Sequence, residues 1–222
     1  MALLNPSFLR KLGEKILEWW YKNRRDYPWR HERDPYRILI AEIMLQRTKA
    51  DQVMPVYLEF LRKYPTIKEL AKAKLEDIEY FFGKLGLRWR AKRVLEMAKY
   101  VAGKLDGRLP DKREELLKIP MIGEYMADAI LSFAYGKDVA VVDANVVRVI
   151  ERLLCIKPRG EARRDPRFRS IANMMLPKGK AREYNWAIID FAALICTPRN
   201  PKCSTCPLKN DCCFYRKTVK EQ

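Results

Sequence analysis

Residues 119–149 read IPMIGEYMADAILSFAYGKDVAVVDANVVRV. Pro120 and Gly123 sit three apart, and helical apolar periodicity follows them. Upstream, DKREELLK (111–118) starts on an aspartate suited to an N-cap and runs into Pro120, which cannot continue a helix. The predicted unit is therefore a helix from Asp111, a tight turn, and a second helix from about Gly123 to Tyr135. The second helix leaves backbone N–H groups unpaired at its N-terminus, and its dipole is positive there, so the turn is suited to phosphate. Gly123 lets a phosphate backbone approach closely. Alone, such a hairpin is a common connection in α-helical proteins. Further on, the apolar VAVV runs extended into Asp143, which stands where a helix begins. The plain reading of Asp143 is an N-cap. The functional one is a carboxylate at the mouth of a pocket, facing developing positive charge.

Working outward, helical spacing dominates, and the fold class expected is all-α. Phe8, Leu12, Ile16 and Trp19/Trp20 recur at three to four residues and define an amphipathic first helix. RDYPWRHERDPY (25–36) breaks it with two prolines. PYRILIAEIMLQRT (35–48) is apolar nearly all round, as a buried helix is. Short helices are expected around 51–63, 66–72 and 75–82, a longer one over 90–105, and further helices near 168–176 and 181–195. Residues 157–167 are polar and basic and read as a loop.

The chain has 222 residues, 48% of them hydrophobic, and a formal net charge of +17. That excess points to a polyanionic partner, nucleic acid first, or more plainly to a heavily solvated surface. The low glutamine content leans towards a thermophile. The start MALLNPSFLRKLGEK lacks the pattern of a secretory leader, and no run is long enough to span a membrane. A cytoplasmic protein is expected, and there six cysteines suggest metal or catalysis before disulfides. The single histidine, His31, offers little to histidine-centred chemistry.

Four cysteines, Cys196, Cys203, Cys206 and Cys212, follow a C-x6-C-x2-C-x5-C spacing in the tail. Four thiolates in so short a segment can wrap one metal centre, either zinc or an iron–sulfur cluster. Cys155 is read as a core residue, and Cys213 as a competitor of Cys212.

Together these pieces resemble the helix–hairpin–helix DNA glycosylases of the endonuclease III superfamily over almost the whole chain. The resemblance implies a 4Fe–4S cluster on the four tail cysteines. It implies a six-helix barrel lobe over about 29–140, with the hairpin at about 111–135, and a cluster lobe from 1–28 plus 141–222. The hairpin residues Pro120, Met121, Ile122 and Gly123 would grip DNA phosphates, often with a bound monovalent cation. Met121 departs from the pattern, because a glycine usually stands there. Asp143 matches the family's essential aspartate, placed to stabilise the oxocarbenium charge that builds as an N-glycosidic bond breaks. The base is reached by flipping its nucleotide out of the duplex.

Members that also nick DNA carry a lysine nucleophile where this chain has Tyr125, and a phenol cannot form the imine. The resemblance therefore implies base removal alone, with the Tyr125 ring against the flipped nucleotide or its hydroxyl positioning Asp143. RRDYPWRHERDPYRILIAEIMLQRTKA (24–50) is similar to both the adenine-mismatch and the thymine-mismatch branches. Glu42 falls where the adenine branch keeps its general acid, and reads either as that or as an ordinary helix carboxylate. Gln46 and Arg47 are candidates to fill the gap left by the flipped base, or else contact phosphate. Ala50 and Trp186 fall where the base pocket is expected, with a core role the alternative for Trp186. Tyr125 and Arg47 favour the archaeal branch that removes T or U opposite G. The further domain usual in the adenine branch is not expected after the cluster segment. The expected partner is double-stranded DNA with a mismatched base, met by a monomer in the nucleoid. The competing readings are an adenine glycosylase acting opposite G or 8-oxoguanine, and a non-catalytic DNA-binding module.

Overall fold

In the computed structural model, residues 5–161 and 165–220 are described. Their regular structure is helical, with no strand among them. The chain divides into two units: Met1–Arg25 with Gly136–Gln222, and Asp26–Tyr135.

The first unit is organised by α1 (Pro6–Asn23), which packs on α10 (Pro166–Met175) and α11 (Ala181–Leu194). Asn5 caps α1 by accepting from the Ser7 amide at 2.9 Å, with Pro6 in the first turn, where its missing N–H costs nothing. Leu9, Leu12, Ile16 and Trp20 form its buried stripe. Gly13 sets how closely it packs, because a Cβ there would stand 1.8 Å from the Met175 carbonyl oxygen. Buried Asp190 on α11 accepts from the Trp20 indole at 2.8 Å and from Arg25 Nε at 2.6 Å, fixing the end of the N-terminal segment. α9 (Ala144–Leu154) packs on α10 and α11, and on α12 (Cys213–Lys220).

The second unit is built round α2 (Pro35–Leu45), capped by Asp34. Tyr36 and every residue from Ile38 to Met44 are buried, as the all-round apolar pattern predicts. α3 (Ala50–Lys63) and α8 (Glu124–Phe133) pack on it. α4 (Ile67–Leu70), α5 (Leu75–Gly83), α6 (Ala91–Lys104) and α7 (Arg113–Leu116) complete the unit. Thr66 and Glu69 form a reciprocal capping box on α4.

Several expectations need correction. The helix expected from Asp111 begins only at Arg113, with Lys112 at the cap position and no side-chain cap. α12 has no counterpart in the sequence reading. Cys155 is neither core nor free, because it forms a disulfide with Cys213, which removes Cys213 as a competitor of Cys212. Of the expected loop 157–167, residues 162–164 lie outside the described residues, as do the first four of the N-terminal stretch and Gln222. Pro166 and Arg167 belong to α10. No helix among the described residues is long and apolar enough to cross a membrane.

Candidate active site and cluster segment

The hairpin in the second unit is held from beneath. Ile119 and Ile122 are buried in its core, and the Ile122 amide donates to the Ile119 carbonyl at 3.1 Å. Buried Asp128 on α8 accepts from Arg113 on α7 at 2.9 Å, bracing one helix against the other. Met121 has φ +73°, in the left-handed region that favours glycine. The residue usual in the family is thus the one this backbone suits, and methionine keeps the turn while packing on the core. Gly123 caps α8 with extended backbone, and a Cβ built on it would meet nothing within 4 Å. Its use is open approach to the helix N-terminus, not conformational freedom. α8 opens at Gly123 with the positive end of its dipole, an end that favours an anion. Glu124 would oppose one, and Arg113 partly offsets it from 3.5 Å.

In the first turn of α8, Tyr125 donates its hydroxyl to Glu42 Oε2 at 2.8 Å. Glu42 is 7% exposed on apolar α2, where a carboxylate needs a hydrogen-bond donor. This joins two of the expected site residues, 83 positions apart in the chain. At the end of α2, Gln46 accepts from Arg90, and exposed Arg47 has φ +68°. A non-glycine residue so conformed marks a position worth a functional reading. Arg90 also lies 4.6 Å from the centroid of Trp89, whose ring is 61% exposed. Ala50 opens α3 and packs half-buried on the core.

In the first unit, Asp143 caps α9. Its Oδ1 accepts from the amides of Asn145 at 2.9 Å and Val146 at 2.8 Å, and its Oδ2 from the Asn145 side chain at 2.6 Å. Buried Asn185 clips the preceding extended segment by accepting from the Val141 amide and donating to the Val139 carbonyl. The carboxylate thus enters from a fixed backbone. Asn145 in turn accepts from Arg148 Nη1 at 2.9 Å, and Arg148 Nε donates to the Cys196 carbonyl at 3.0 Å. A hydrogen-bonded line therefore runs from Asp143 to the first tail cysteine. Burial pushes the Arg148 guanidinium below its usual range, while Cys196 and Asp143 favour its charge. Trp186, expected at the base pocket, is 8% exposed and packs near Trp20, with the Arg182 guanidinium 4.6 Å from its ring centroid.

The four tail cysteines line one pocket together with Val149, Leu153, Phe191 and Phe214. All four are free of disulfides. Among the described residues no three His, Cys, Asp or Glu groups are placed to hold a single metal ion. Four thiols lining one apolar pocket are a donor set that a multi-atom iron–sulfur cluster accepts. Burial pushes the Cys203, Cys206 and Cys212 thiols up, Cys206 to about 11, so ligation would replace a proton on each.

Asn145, Arg148, Asn185, Trp89 and Arg90 were not singled out from sequence. For α9 a signal existed: Asn145, Arg148 and Arg152 are a polar stripe at helical spacing on a helix that, Glu151 aside, is otherwise apolar. Asn185 and Arg90 carry none, because their partners lie 44 residues away.

A helical DNA-repair fold with an iron–sulfur segment is the class these features define. The chain matches the HhH-GPD superfamily of base excision DNA repair proteins over residues 40–171 and belongs to it. Residues 196–212 match the iron–sulfur binding domain of endonuclease III, so the chain carries a 4Fe–4S cluster segment. It is 39% identical to a thymine/uracil-DNA glycosylase of Methanothermobacter thermautotrophicus, covering 91% of this chain and 92% of that one. It is 37% identical to an adenine DNA glycosylase of Mycobacterium tuberculosis over 90% of this chain but 66% of that one. A solved structure of a thermostable thymine-DNA glycosylase superposes with a TM-score of 0.86 at 38% identity, over 95% of this chain and 98% of that one.

Proposed function

We propose that this protein is a monofunctional DNA glycosylase that removes T or U mispaired with G and leaves an abasic site. It would act as a monomer on nucleoid DNA in the cytoplasm. The observation that carries the reading is Tyr125, a phenol bonded to buried Glu42 where a nicking enzyme would hold an amine. The similarity to thymine/uracil-DNA glycosylases along nearly their full length supports the choice of base.

In this reading the amides of α8 take a phosphate, and Arg47, Gln46 and Trp89 meet the duplex where the flipped base leaves a gap. Asp143 stabilises the cationic sugar as the N-glycosidic bond breaks and orients the attacking water. Its three donors hold it aimed, so little reorganisation is needed at the moment of reaction. Glu42, with Tyr125 fixing its rotamer, faces the base or the sugar. The cluster segment fixes the far end of α9, and hence the Asp143–Asn145–Arg148 line.

End-labelled duplexes bearing T·G, U·G, A·G and A·8-oxoguanine pairs test this. Strand cleavage is expected for T·G and U·G, and only after alkali. Release of adenine alone would replace this reading with the adenine one, and binding without release from any duplex would leave only a DNA-binding module. Trp89→Ala is expected to weaken duplex binding roughly tenfold, since base–aromatic stacking contributes about 1–3 kcal/mol. Because the ring is 61% exposed, the melting temperature should be unchanged. Unaltered affinity in a binding titration would remove Trp89 from the interface.

A further inference from the structure

The Cys155–Cys213 disulfide stands beside the cluster segment, and the stretch that supplies the ligands is tied at both ends to the last turns of α9. At the Cys196 end, Arg152 donates to the Thr197 carbonyl at 2.7 Å and the Pro198 carbonyl at 2.9 Å. At the other end, Cys212 Sγ lies 3.5 Å from the Arg152 carbonyl oxygen, and the next residue is Cys213. Phe214 adds a ring 5.2 Å from the Arg152 guanidinium. Cys155, the C-cap of α9, has φ +52°, a conformation in which helices ordinarily end on glycine or asparagine. A cysteine kept there despite that preference argues that the bond itself is used. Both cysteines are only half-buried, so a small reductant can reach them.

We propose that the Cys155–Cys213 disulfide is a redox-sensitive clasp that retains the iron–sulfur cluster. While the bond is intact, the chain from Cys155 to Cys213 is a closed loop whose ends lie 58 positions apart. The segment 196–212 then cannot peel from α9 at its Cys212 end without breaking a covalent bond. A dithiol opens it. The two reductant thiols are oxidised to a disulfide, the Cys155–Cys213 bond takes the two electrons, and two protons end on the freed thiols. The Cys212 end is then held by non-covalent contacts and its own ligation, and Cys213 becomes a free thiol next to a ligand.

The test uses the cluster-loaded full chain under anaerobic conditions. Alkylation with N-ethylmaleimide in mildly acidic denaturant, where thiol–disulfide exchange is slow, is followed by intact mass. Four adducts are expected without reductant, matching the four free cysteines, and six after reduction. The cluster's visible absorption is then followed on warming with an iron chelator, with and without prior treatment with a phosphine, which reduces disulfides and takes its oxygen from water. The band should decay roughly tenfold faster after phosphine treatment. Cys155→Ser should decay at that faster rate, with phosphine adding nothing, and the treated wild type supplies the comparison without any substitution. Six adducts before reduction would overturn the proposal, as would equal decay in oxidised and reduced wild type.

Discussion

Asp143→Asn lowers single-turnover base release by about a thousandfold while duplex affinity stays within about threefold. The substitution separates the two jobs this residue has. As a cap, Asp143 uses Oδ1 to accept two backbone amides, and asparagine ranks beside aspartate as a cap. The new amide nitrogen would then sit where Oδ2 is, opposite the Asn145 side-chain nitrogen now 2.6 Å away. Two donors would face each other, and Asn145 cannot simply turn, because its oxygen accepts from Arg148. That costs about 1 kcal/mol, or about 3 °C in a chain of this size. The loss of the negative charge is another matter, since nothing else in the substitution stabilises a cationic sugar. Melting temperature by calorimetry and release by alkaline gel should therefore diverge. Turnover within tenfold of wild type would mean that Asp143 serves only as the cap.

The same residue shows what a single chain read by itself reveals and where it stops. The cap was readable at Asp143, since an extended apolar run followed by aspartate and a helical pattern are both local. The iron–sulfur segment was readable for the same reason, with its four cysteines inside residues 196–212. Asp111 had the right residue type as well, yet the cap position falls one residue later, at Lys112, because local propensity does not choose between adjacent starts. The partners of Glu42, Gln46 and Cys155 were out of reach. Each depends on which helices pack together, and no spacing rule encodes a bond across 83 or 58 residues. Met121 lay between these cases. The missing glycine was visible in the sequence, but that the turn keeps a positive φ regardless is a result of the two buried isoleucines flanking it.

Tyr125→Lys converts the protein into one that cross-links to its product, and Glu42 limits how well. Wild type should give no borohydride-trapped adduct, because a phenol forms no imine. A lysine in this place is about as long as the tyrosine, so its amine would lie near Glu42, where the hydroxyl now donates. A buried carboxylate at that distance stabilises the ammonium and raises its pKa. The nucleophile is the neutral amine, so trapping by the single variant should be weak at neutral pH and rise as pH increases. Adding Glu42→Gln removes the charge that holds the proton. The amine's pKa falls, and trapping at neutral pH should increase about tenfold for each unit of that fall. Trapping in the wild type would end the monofunctional reading. Its absence from both variants up to about pH 9, with DNA still bound, would show that Tyr125 does not face the sugar. A double variant no better than the single one would mean that Glu42 does not hold the lysine's proton, and that its contact with Tyr125 in the native protein serves the fold of α2 and α8 alone.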